Sequence, residues 1–124
     1  MSAFDLYLDG WRARAQASEA ARRTRLERGR QVAEALASLL ATRFGARRVV
    51  LVGSIARGDA SRASDIDLAV EGLEGAALFR AGAACEDRSE GFSVDLVPLE
   101  DASEAMIEQV ARDGIVLHEQ RGRT

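Results

Sequence analysis

Apolar positions in this chain form one long stripe at helical spacing, followed by short hydrophobic runs set between polar loops. Leu26, Ala33, Leu36, Leu40 and Phe44 recur at steps of three, four and seven, so residues 11–44 read as a helix with one apolar face, stopped by Gly45. Gly29 divides that stretch or bends it. "RVVLVG" (48–53) reads as a buried strand, and Ser54 to Arg57 as one helical turn with Ser54 at its start and Gly58 at its end. "SDIDLAVEG" (64–72) is a second strand, residues 75–87 an alanine-rich helix, and "FSVDLVP" (92–98) a cleanly alternating third strand. Asp101 and Glu104 resemble a capping box opening a helix through Arg112, and "IVLHE" (115–119) closes the series as a strand. A leading helix and then strands with intervening helices predict an α/β or α+β fold: a small sheet with flanking helices, covered mainly on one side, preceded by a long N-terminal helical segment.

Composition narrows the chemistry. With 124 residues, 47% of them hydrophobic and 30% charged, the chain suits one modest core. All 17 basic residues are arginine, which excludes a Walker-type phosphate loop with its lysine and any lysine nucleophile. The one histidine, His118, leaves no His-based zinc cluster and little scope for a Ser-His-Asp triad. The one cysteine, Cys85, lies among small residues and is expected to be packed rather than reactive. Lack of a bilayer-length apolar run or signal-like N-terminus sets the expectation of a cytoplasmic protein with no membrane association. Arginine is concentrated before residue 49 and acid after it, so the second half suits bound cations.

Between the first two strands lies "GSIARGDASRASDID" (53–67), far more polar than a turn requires. On a strand, Asp65 and Asp67 share one face, and Asp95 on the third strand joins them if the two strands are neighbours. Two like charges ~4 Å apart repel by about 4 kcal/mol at an effective dielectric near 20, so the patch calls for a cation. Arg57 or Arg62 would make it an ion-pair network; Mg²⁺ fits an all-oxygen donor set better. Gly53 permits close backbone approach to a phosphate, and Ser54 sits where helix-start N–H groups face an anion.

The run Gly53–Ser54, ten residues, then Asp65-x-Asp67 resembles the G-S-x10-D-x-D signature of the nucleotidyltransferase superfamily that includes DNA polymerase β. "RRVVLVGSIARGDASRASDIDLAV" is especially similar to the minimal nucleotidyltransferases (MNT), and "FSVDLV" and "ARDGIVLHE" extend the likeness. The resemblance implies a nucleotidyltransferase fold over 31–119, an N-terminal helical extension over 1–30 and a tail at 120–124. It implies ATP as donor, Mg²⁺ (two ions) as cofactor, and transfer of AMP with release of pyrophosphate. Gly53 and Ser54 would hold the triphosphate, with Arg57 and Arg62 as phosphate contacts. Asp65, Asp67 and Asp95 would be the catalytic, metal-ligating carboxylates. Relatives of this kind act as antitoxins that AMPylate a HEPN-type toxin, which implies such a partner, with the acceptor site supplied by that protein or by a second copy in a homo-oligomer. Transfer to a small molecule such as an aminoglycoside, or a non-catalytic nucleotide-binding module, is the alternative; a nucleic-acid template is not expected. Phe4, Tyr7, Leu8 and Trp11 also recur at helical spacing. Such a stripe is expected to close the chain's own core, the alternative being a surface for another chain.

Overall fold

Ser2 opens the first helix by accepting from the Asp5 backbone N–H, while the Asp5 carboxylate accepts in return from the Ser2 N–H. This capping box starts α1 (Ala3–Phe44) well before Trp11, where the hydrophobic pattern alone would begin it. The helix ends as expected at Gly45, whose φ of 76° is left-handed. Its 42 residues span about 63 Å. Gly29 neither breaks nor bends it into two: a Cβ there would lie 2.8 Å from Ile55 Cδ1 and 3.2 Å from Phe92 Cε1, so glycine serves close packing. The computed structural model describes residues 2–59 and 65–120.

The remaining elements are β1 (Arg48–Val52), α2 (Gly53–Arg57), β2 (Asp65–Glu71), α3 (Gly75–Asp87), β3 (Ser93–Pro98), a 3₁₀ turn (Leu99–Asp101), α4 (Glu104–Asp113) and β4 (Ile115–Glu119). The strands form one mixed sheet in the order β3-β2-β1-β4, with β1 antiparallel to β2 and β4, and β2 parallel to β3. Period-two alternation decides which residues meet the helices. Val49, Leu51, Ile66, Leu68 and Val70 face Val32, Leu36 and Leu40 of α1 together with Ala81 and Cys85 of α3. Each large side chain buried there contributes about 1.5–3 kcal/mol.

Cover is mainly on that side, but not wholly. Val50, Val52 and Ala69 point the other way and pack against Val110 and Met106 of α4 and against Leu99. The start of α4 also differs from the sequence expectation: Ser103, not Asp101, is the cap, its hydroxyl accepting from the Met106 N–H at 3.2 Å. Asp101 is occupied in the preceding 3₁₀ turn. Cys85 is buried, and burial pushes its thiol up to about 11, so it stays protonated at neutral pH. Among the described residues, no helix is long and apolar enough to cross a membrane.

The stripe near the N-terminus departs most from expectation. Phe4, Tyr7 and Trp11 do not close the core; they are 67%, 64% and 56% exposed. Gly29 is the first buried residue of α1 and Leu26 the first apolar one packed against the core, so the helix before about residue 25 projects from the body as an arm. The core needs only the second half of α1, where Val32, Leu36 and Leu40 reach the sheet. Accordingly, Leu36→Ala should cost about 2–5 kcal/mol in urea unfolding. Trp11→Ala, measured in dilute solution, should stay within about 0.5 kcal/mol of the parent.

Candidate active site

Gly53 follows β1 with φ of 80°, a left-handed conformation natural to glycine. A Cβ at this position would run into an Asp67 carboxylate oxygen, so the space is kept open by lack of a side chain. The chain then enters α2 with Val52, not Ser54, as its cap, and with no side-chain capping bond. Ser54 is the second helical residue and is buried. Gly58 closes the turn with φ of 78°, and the Asp59 N–H donates to the Ser54 carbonyl at 2.9 Å.

Two strand pairings bring the carboxylates to this turn. Antiparallel pairing sets Asp67 opposite Val52, one residue before Gly53. Parallel pairing sets Asp67 opposite Asp95, and Asp65 opposite Ser93. Adjacent strands lie about 4.8 Å apart, so Asp67 and Asp95 are direct neighbours. Asp65 and Asp95 are exposed and Asp67 is half-buried. Burial raises the Asp67 carboxyl above its usual value, with the negative charges of Asp95 and Asp65 adding to the effect. Arg57 opposes it more weakly, which places its guanidinium within electrostatic reach of the carboxylates. Arg62, the other arginine singled out from the sequence, lies outside the described residues.

The donor set is oxygen-only, negatively charged and crowded, which suits a hard cation such as Mg²⁺. Such an ion would relieve the repulsion that raises Asp67. Among the described residues, no three His, Cys, Asp or Glu side chains already converge as a metal cage. The shared carboxylate face is therefore set by strand register rather than by closed coordination. With a cation bound, this face can neutralise phosphate charge beside the Gly53–Ser54 turn.

Arg30 is the contact sequence reasoning missed. Its guanidinium donates to the Ile55 carbonyl from Nε at 3.3 Å and Nη2 at 3.2 Å, and to the Ala56 carbonyl at 3.4 Å. It thereby satisfies carbonyls at the negative end of α2. In sequence it is one arginine among many on a helix, and no local pattern distinguishes it.

A family model described as polymerase beta, nucleotidyltransferase, matches residues 34–122. Among solved structures, one described as a minimal nucleotidyltransferase is 41% identical, covering 73% of this chain and 93% of that one, with a TM-score of 0.59. A chain of a toxin–antitoxin structure with AMP-PNP is 28% identical, covering 71% and 74% respectively, with a TM-score of 0.60. A chain from the complex of tri-AMPylated Shewanella oneidensis HEPN toxin with MNT antitoxin is 25% identical, covering 73% and 72%, with a TM-score of 0.56. No curated protein matches the chain.

The raised Asp67 carboxyl has a stability consequence. Without a cation the folded chain holds this proton more tightly than the unfolded chain. Asp67's contribution is thus most favourable at low pH and is lost as pH rises from 3.8 through the raised value. At neutral pH without divalent cations, Asp67→Asn should melt a few degrees above the parent. Added Mg²⁺ should raise the parent's melting temperature and leave the variant's unchanged. An equal response in both would remove Asp67 from the cation site.

Proposed function

This chain belongs to the polymerase β nucleotidyltransferase family, and on that footing we propose that it transfers AMP from ATP to a hydroxyl of a partner protein, as the antitoxin of a HEPN-type pair. The observation that carries the transfer reading is the register of β1, β2 and β3. It sets Asp67 opposite Asp95 and beside Gly53, with Asp65 on the same face. In this proposal residues 31–119 form the catalytic unit and residues 1–30 an extension.

Gly53 and Ser54 receive the triphosphate at the start of α2, where the backbone can approach a phosphate without a side chain intervening. Arg57 supplies positive charge at the other end of that turn. Asp65 and Asp67 would hold Mg²⁺, with Asp95 completing the set, and a bound ion would supply charge neutralisation for an in-line displacement. The acceptor hydroxyl oxygen forms a bond to the α-phosphorus as the bond from that phosphorus to the pyrophosphate oxygen breaks. Pyrophosphate leaves with that electron pair, and Asp95 takes the hydroxyl proton and passes it to solvent. This needs positioning and charge neutralisation more than covalent chemistry by the protein.

The HEPN assignment draws on the complexes to whose chains this one is similar.

With a partner toxin and α-phosphate-labelled ATP, the parent should label the toxin. Asp67→Asn should lower the rate on the order of a hundredfold or more, the scale of losing one preorganised transition-state contact. Undiminished labelling by an Asp65→Asn/Asp67→Asn protein would refute the site assignment. Labelling of a small hydroxylated acceptor but of no protein would move the reading to a small-molecule transferase.

A further inference from the structure

The projecting arm of α1 carries a surface that the body never uses. Phe4, Leu8, Trp11 and Ala15 follow one another at steps of four, three and four, the spacing of a seam between paired helices. One flank of that seam bears Asp5 and Arg12, and the other bears Tyr7 and Arg14. Asp5 is engaged only with its cap, while Tyr7, Asp9, Arg12 and Arg14 have no hydrogen bond or ion pair among the described residues. A shallow hollow runs along Trp11, Arg14, Ala15, Ser18 and Arg22. The family match begins at residue 34, so none of this belongs to the matched region.

We propose that the arm binds the arm of a second copy of this chain, antiparallel, over residues 4–15. The seam is complementary to itself in that direction. Leu8 of each copy faces Trp11 of the other, and Phe4 enters the hollow over the other's Ala15, so each layer sets a large residue against a smaller one. On one flank Asp5 meets Arg12 of the other copy, and on the other flank Tyr7 meets Arg14. The two-fold axis makes every contact twice. Parallel pairing would instead set Trp11 on Trp11 and Ala15 on Ala15, crowding one layer and leaving a gap in another. Charge complementarity also identifies the occupant: the seam's arginine at position 12 calls for an acid on an apolar helix, and the arm's own tip supplies it at position 5. This pairing does not depend on the transfer reading.

The overlap is only about 18 Å long, so the association is weak and is read over a wide range of concentration. Sedimentation velocity of the full chain from about 1 to about 300 µM should show a shift from one chain mass to two, weakened by salt. Trp11→Glu should stay monomeric throughout, while circular dichroism shows its helix intact. Direction is read by cross-linking at high concentration: Phe4→Cys mixed with Ala15→Cys should give a mixed disulfide, and neither variant alone should. A chain that is monomeric over the whole range overturns the proposal and leaves the arm to a different protein. A Trp11→Glu protein that still dimerises, or Ala15→Cys linking to itself, overturns it as well.

Discussion

Negative charge gathered at one end of the sheet is the constraint around which this fold is arranged. Asp67 must share a register position with Asp95 and lie against the turn that follows β1. The raised Asp67 carboxyl records the strain of this arrangement, and burial contributes more to it than either neighbouring carboxylate. A protein selected only for stability would place neutral residues there. Gly53 has the complementary role, since the space its missing side chain leaves is bounded by Asp67 itself. The mixed sheet makes this possible: among the described strands, β2 alone pairs antiparallel on one side and parallel on the other. It can therefore collect the end of β1 and a carboxylate of β3 at one level.

Most of this was legible in the sequence because it depends on local rules. Alternation in "DIDLAV" puts Asp65 and Asp67 on one face, and in "FSVDLV" it sets Asp95 apart from the apolar side chains; the pairing of β2 with β3 then joins the three. Gly45 and Gly58 stop their helices where the pattern ends. The misreadings have local causes too. Asp101 and Ser103 both stand before α4, and the 3₁₀ turn that claims Asp101 is invisible to spacing arguments. Gly29 has the composition of a break, yet it is buried in an unbroken helix because Ile55 and Phe92 come from distant parts of the chain. Phe4, Tyr7 and Trp11 show the limit of periodicity. An apolar stripe states that a face wants cover, not what covers it.

Residues 25–30 form the junction between arm and site. Arg25 lies over the Phe92 ring at 4.6 Å, Arg28 pairs with Glu90, Gly29 admits Ile55, and Arg30 holds the α2 carbonyls. Arg25 and Arg28 reach the loop before β3, and Gly29 and Arg30 reach α2, so the arm leaves the body beside the turn that follows β1. Guanidinium groups suit this junction because they spread several donors over a plane and stack on aromatic rings.

The uninterrupted passage of α1 through Gly29 makes the helix a lever. From Gly29 to Phe4 the arm is about 38 Å long, so a tilt of about 5° at the junction moves the tip about 3 Å. Any such tilt would have to be accommodated where Gly29 meets Ile55 and Arg30 meets the α2 carbonyls. A hinge at Gly29 would have uncoupled the two ends. Without one, a displacement of Phe4 or Trp11 relative to the body is felt first at the contacts around Gly29.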